Sequence, residues 1–304
     1  MVVGMAAIDV IGKSKMKLMM EVSNIGKIAI HPGGVGRNVA ECLARLDASN
    51  PPYFLSIIGS DHFGHLLQSH LQELGMDSST LIVHPTHSTA VFQCLLDSNG
   101  EMHAAINDMD IIDSLEPLKL RELVVPLLSK LKLIVFDANI PVPCMVELCK
   151  IAGDHGIDTF FLPTSVAKCT KILEGGLLSS VKYLSLNRLE AMALLQAINP
   201  DTPQRTIEEC AQEVLQKGVS HVIITQGPNP LLYRSKELTQ YYEPKPTKIV
   251  NTTGAGDSLS AGVIYGIVSG WPMEKSIDLG LAAAACSIQS QLTISPQLSL
   301  IINK

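Results

Sequence analysis

The 304-residue chain has little charge, few aromatics and no paired cysteine motif. Asp, Glu, Lys and Arg make up 17% of it and aromatic residues 4%, against 46% apolar residues. Such a composition excludes intrinsic disorder and leaves a folded, core-rich protein. The formal charge is -6 and no long run of Lys or Arg occurs, so a nucleic-acid partner is not expected. The scarcity of aromatics also argues against a stacking surface for single strands. The 7 cysteines are scattered, and none is spaced as C-x-x-C. That usage excludes a disulfide framework and a zinc ribbon, and it suits a reducing, cytoplasmic compartment. The apolar start, residues 1–8, has no basic flank and is broken by Asp9. Neither a signal peptide nor a membrane span is expected from it.

What the chain does have is alternation. Its length allows about two domains, but one large α/β domain also fits. Short β-branched runs at 2–10, 53–58, 131–137, 159–162, 183–186 and 221–225 read as strands. Most are continuously apolar, as strands are when helices cover both faces of a parallel sheet. Helical patterns follow at 38–46, 64–74, 143–155, 188–197, 207–217, 257–269 and 276–289. In the first of these, Val39, Leu43 and Leu46 share one face. The rhythm predicts an α/β fold: a doubly wound, mostly parallel sheet flanked by helices, in one domain over residues 1–304. Residues 12–31 and 88–107 break the rhythm with alternating, hairpin-like segments, the second turning at Asn99-Gly100. Together they predict a small β-sheet lid over the strand ends, where open α/β sheets bind ligands.

Several motifs carry no chemistry. Gly12-Lys13-Ser14 lacks the earlier glycine of a phosphate loop, since Ala7 stands there. Gly34-Val35-Gly36 lacks the third glycine of a dinucleotide fingerprint, since Val39 stands there. His62-x-x-His65 and His84-x-x-His87 have no acidic or cysteine partner at ligand spacing.

The segment Asn251-Thr252-Thr253-Gly254-Ala255-Gly256-Asp257, followed by a small apolar run, is different. Glycines let the backbone turn sharply and approach a ligand. A helix beginning near Asp257 would leave the amides of Ala255 to Asp257 free and pointing at one spot, with the helix dipole behind them. Asp257 then reads either as a helix cap or as the carboxylate that takes a hydroxyl proton beside an anion cradle. Phosphoryl transfer needs that pairing.

This segment resembles the second signature of the ribokinase (PfkB) carbohydrate-kinase family. Gly33-Gly34-Val35-Gly36-Arg37-Asn38 resembles the first. The resemblance implies a ribokinase-like kinase using ATP and Mg²⁺, with Asp257 as catalytic base and Gly254, Ala255 and Gly256 as the anion hole. It implies that Asp9, Gly33, Gly34 and Asn38 hold substrate, though Asp9 alone reads as a polar strand end and Asn38 as a helix cap. Asn187 and Glu190 match a motif that positions Mg²⁺ through water, while Glu190 alone reads as a first-turn acid. Thr225 and Gly227 resemble a nucleotide contact, and Thr253 belongs to the same nucleotide-binding set. Asn251 replaces an Asp common in the second signature, which weakens the case for a K⁺ site.

Within the family, residues 31–46, 100–109 and 250–257 look most like pseudouridine kinases. That likeness implies phosphorylation of pseudouridine at its 5′-hydroxyl, with Asn107 either contacting the nucleoside or serving a plain turn. Ribose, fructose, adenosine or another pyrimidine nucleoside is the alternative acceptor. A nucleoside-binding protein without catalysis is the alternative outside enzymes. Some relatives are fused to a pseudouridine-5′-phosphate glycosidase, so fusion in a longer polypeptide is a further expectation. Exposed lid edges offer a homodimer through residues 12–31 and 88–107.

Overall fold

The computed structural model describes residues 1–201 and 206–302. Strand β1 (Val2–Val3) is short because the chain leaves the main sheet at once. It kinks through Gly4, Met5 and Ala6 into β2 (Ala7–Ser14), which pairs antiparallel with β3 (Gly26–Gly33) in a second sheet. The single strand expected over 2–10 is therefore two strands in two sheets. A buried carboxylate, Asp137, accepts the Met5 amide at 2.9 Å in the kink, where no ladder partner serves it. Helix α1 (Val35–Leu46) follows β3 directly, one turn earlier than the apolar pattern suggested.

The chain then returns to the main sheet. Strand β4 (Phe54–Gly59), helix α2 (His62–Glu73) and β5 (Leu81–His84) form its first edge. Strands β6 (Val91–Leu96) and β7 (Met102–Asp108) complete the second sheet, in the order β3-β2-β6-β7. After α3 (Pro117–Val124) come β8 (Leu133–Asp137), α4 (Val142–Asp154), β9 (Asp158–Leu162) and β10 (Tyr183–Asn187). Helices α5 (Arg188–Ile198) and α6 (Ile207–Gln216) lead to β11 (His221–Gln226). An antiparallel hairpin, β12 (Asn229–Arg234) with β13 (Thr239–Tyr242), closes the far edge. Helices α7 (Ala255–Val268) and α8 (Met273–Ile288) finish the layer.

Among the described residues the main sheet has nine strands, ordered β13-β12-β11-β10-β9-β8-β1-β4-β5, and all pairings from β11 to β5 are parallel. Side chains alternate between two cores, one on each face. Val3, Phe136 and Phe161 point into one with α3–α6, while Val2, Val135 and Phe160 point into the other with α1, α2, α7 and α8. Burial on both faces is why these strands read as unbroken apolar runs. The second sheet has no such two-sided cover, and β7 is exposed along its whole length. No helix among the described residues is long and apolar enough to cross a membrane.

Candidate active site

The C-terminal ends of β9, β10 and β11 meet the head of α7 around a cavity of about 160 Å³. Asn187, Glu190, Thr225, Gly256 and Asp257 all line it. The head of α7 is shaped by the turn before it. The Thr253 amide donates to Asn251 Oδ1 at 3.0 Å, and Gly254 takes a left-handed conformation with φ 78°. A Cβ on Gly254 would lie 2.4 Å from the Thr293 carbonyl oxygen, so only glycine fits both the angle and the space. The helix starts at Ala255, two residues earlier than expected, and this changes the amide inventory. The Ala255 amide is engaged by the Thr252 carbonyl at 3.3 Å. Among the described residues, the Gly256 and Asp257 amides find no protein acceptor. The expected three-amide cradle is therefore a two-amide one at the positive end of a 14-residue helix.

Asp257 is half-buried at the head of this helix. Withdrawal from water raises its carboxyl pKa to about 6, against the Asn38 hydrogen bond and the Arg37 charge, which pull it down. Asn38, buried in the first turn of α1, donates from Nδ2 to Asp257 Oδ2 at 2.6 Å. The first and second glycine signatures, 219 residues apart, thus meet at one hydrogen bond. The sequence had offered Asn38 as a substrate contact or a cap. No side chain caps α1, whose N-cap is Gly34 with φ 91°, so the capping alternative does not hold.

Asp9 stands on β2 in the second sheet, not at the end of a central strand. Its carboxylate lies against Gly33, where a Cβ would be 2.4 Å from Oδ1. Burial raises the Asp9 pKa, with Arg37 and His31 opposing. Asn107 falls in the same cross-strand row, His31–Asp9–Phe92–Asn107, and so on the same face as Asp9. It is exposed and two strands away, roughly 10 Å by strand spacing.

On the other side of the cavity, Asn187 and Glu190 form a reciprocal capping box for α5. Asn187 Oδ1 accepts the Glu190 amide at 2.9 Å, and Glu190 Oε2 accepts the Asn187 amide at 2.8 Å. Glu190 is thus the first-turn acid of α5 that its position alone suggested, but it is not an exposed one. Glu190 is buried, and burial raises its pKa against the Asn187 bond. One carboxylate oxygen is committed to the cap, and the residue still lines the cavity beside Asp257. Thr225 joins them there, while Gly227 takes the turn into β12 with φ 61° and does not line the cavity. Carboxylate, hydroxyl and amide oxygens with no sulfur or imidazole are the donor set that suits a hydrated Mg²⁺.

Three residues were not singled out from the sequence. Arg37 is buried behind Asn38, with its Nη2 donating to the Asn38 side-chain oxygen Oδ1. Asp137 is buried under the β1–β2 kink and accepts the Met5, Gly36 and Asn139 amides at 2.9, 2.8 and 2.9 Å. Thr164 lines the cavity with φ 66°, a rare conformation for a β-branched residue.

The sequence model of the pfkB family of carbohydrate kinases matches residues 1–299. The chain is 31% identical to pseudouridine kinase of Escherichia coli (strain K12), over 98% of this chain and 93% of that protein. It is 23% identical to pseudouridine kinase of Arabidopsis thaliana, over 98% and 93%. A pseudouridine-metabolizing bifunctional protein of Schizosaccharomyces pombe is 23% identical over 89% of this chain, but over only 43% of its own length. Among solved structures, Arabidopsis thaliana ribokinase complexed with ribose and ATP superposes with a TM-score of 0.84 at 20% identity, covering 99% of this chain and 96% of that one.

Proposed function

The chain belongs to the pfkB family of carbohydrate kinases and is a phosphotransferase with an alcohol acceptor; from that premise we propose that it phosphorylates the 5′-hydroxyl of pseudouridine with ATP. The observation that carries the catalytic part is the desolvated Asp257 carboxylate, held by Asn38 beside two unpaired amides at the head of α7. With a pKa near 6 it is ionised at neutral pH, yet it is a stronger base than an ordinary aspartate. It takes the hydroxyl proton as the hydroxyl oxygen attacks the γ-phosphorus, and ADP leaves. The Gly256 and Asp257 amides and the helix dipole stabilise charge on the transferring group.

Asp9 accepts from ribose hydroxyls. Asn38 has a second amide hydrogen to offer the sugar while its first stays on Asp257. Gly33 and Gly34 let that sugar approach the backbone, and Asn107 reaches it from the second sheet, which acts as a lid. Asn187, Thr225, Gly227 and Thr253 face the nucleotide. Glu190 holds Mg²⁺ through water, and the ion neutralises phosphate charge when bound. Asn251 spends its side chain on the Thr253 amide and lacks the charge that would favour K⁺, so no K⁺ requirement follows. Seven unpaired cysteines and a need for ATP suit a cytoplasmic setting. The bifunctional relative supports a reading in which a pseudouridine-5′-phosphate glycosidase is the companion activity.

A turnover panel at one MgATP concentration, with pseudouridine, uridine, adenosine, fructose and ribose as acceptors, tests the substrate. Pseudouridine is expected to have the highest kcat/KM. Preference for ribose or adenosine overturns the assignment.

A further inference from the structure

A guanidinium that is 1% exposed must find acceptors for its five N–H groups inside the protein. Arg37 donates from Nε to the Gly33 carbonyl at 3.0 Å and from Nη2 to the Pro32 carbonyl at 3.0 Å. The same Nη2 holds Asn38 Oδ1, and Nη1 holds Glu41. Arg45 Nε reaches Glu41 at 2.8 Å and His70 Nε2 lies 3.2 Å from it. Burial works to raise the Glu41 pKa, but His70, Arg37 and Arg45 together outweigh it and hold the carboxyl at about 2. The buried pair therefore stays charged at any pH the protein works at.

Two details give this pair a task beyond structure. An amide has a donor end and an acceptor end. With Arg37 on its oxygen, Asn38 can only present its NH₂ to Asp257; rotated by half a turn, it would set a carbonyl against the carboxylate. Moreover, Pro32 and Gly33 end β3, and Gly33 is the residue against which Asp9 lies. Arg37 thus touches both halves of the candidate site without facing the cavity itself.

We propose that Arg37 is a positioning residue: by gripping Asn38 Oδ1 and the last two backbone carbonyls of β3, it holds the Asn38 NH₂ on Asp257 and fixes the base relative to β3, which pairs with the strand that carries Asp9. The consequence for catalysis rests on the phosphotransfer reading, but the geometry does not. The guanidinium charge opposes burial at both Asp9 and Asp257. The other groups facing this pair are His31 from the second sheet, Glu41, Cys42 and Arg45 from α1, His70 from α2, Asp137 from β8 and Glu190 from α5.

The test is a carbon-13 titration of the Asp257 carboxyl in ligand-free protein, assigned by its loss in Asp257→Asn. It compares wild type, Arg37→Lys and the paired variant Arg37→Met with Glu41→Met. Removing both partners avoids stranding a buried Glu41 charge. Wild type should titrate near 6, and the paired variant about one pH unit higher, because a cation and an amide donor no longer favour the ionised form. The Asn38 NH₂ protons should lose their protection from exchange in the paired variant and in Arg37→Lys, whose ammonium lacks the planar fork. An unchanged midpoint with a still-protected Asn38 amide in the folded paired variant overturns the proposal. Should that variant not fold, protected Asn38 protons in Arg37→Lys overturn it alone. Absence of turnover on every acceptor would instead overturn the phosphotransfer reading and leave this titration standing.

Discussion

At the head of α7 the Asp257 carboxylate is withdrawn from water, and burial lifts its pKa to about 6 from an ordinary 3.8. A carboxyl whose folded pKa is raised contributes most to stability below 3.8, and that contribution is lost as pH rises through 6. At neutral pH the folded protein therefore carries a destabilising charge, the one that the proposed proton transfer would use. Asp257→Asn keeps an acceptor for Asn38 and removes that charge. It is expected to melt at a higher temperature than wild type at pH 8, with wild type closing the gap as pH falls through 6 toward 4. A gap independent of pH would contradict the assigned titration. Residues of this kind were legible where the chemistry is contiguous, as in 251–257. Arg37 was not, because Arg37, Glu41 and Arg45 at i, i+4 spacing read as a solvated helix stripe. Only tertiary packing turns that stripe inward.

The elements owe their placement to what happens at their ends. Neither α1 nor α7 has a side-chain cap: α1 starts at Gly34, extended with a positive φ of 91°, and α7 at a left-handed Gly254. At α1 the Gly36 amide is taken by Asp137 and the Arg37 amide by the Met5 carbonyl, whereas at α7 the Gly256 and Asp257 amides and the helix dipole are left facing the site. Helix α5 does the opposite, using Asn187 and Glu190 as a full capping box, and so fixes Glu190 in place. The strands and helices of the main sheet were legible because apolar runs and 3.6-residue periodicity survive in the sequence. The break within residues 2–10 was not. Nothing local marks it except Gly4, and the kink depends on Asp137, which is 132 residues away from Met5. The two-residue shift in the start of α7 followed from the same limit, since the apolar pattern begins only after Asp257.

On the scale of the molecule, a two-sided α/β layer carries a second sheet whose outer strands β3 and β7 are largely exposed. Cross-strand register puts Ile30, Val10, Gln93 and Ile106 in one row, and Ile28, Gly12 and Leu95 in the adjacent row of the same face. Asp9, Phe92 and Asn107 alternate onto the opposite face. Ile28 is 76% exposed and Ile106 is 75% exposed, so this outer face presents a contiguous apolar surface. We infer that a second copy covers it, giving a dimer through the lid. Ile28→Glu with Ile106→Glu is expected to convert a dimer to a monomer in sedimentation without lowering the melting temperature of the main layer. A wild-type protein that sediments as a monomer at tens of micromolar would contradict the dimer.

The central step of the proposed reaction is Asp257 drawing a proton from the acceptor hydroxyl while neighbouring amides steady the phosphoryl group. Single-turnover transfer from ATP to pseudouridine, measured in wild type and Asp257→Asn alongside pseudouridine Kd by calorimetry, addresses that most directly. The expected result is a rate lower by about two or more orders of magnitude with Kd changed only a few-fold, as for loss of a general base. Transfer at a near wild-type rate in Asp257→Asn would contradict it.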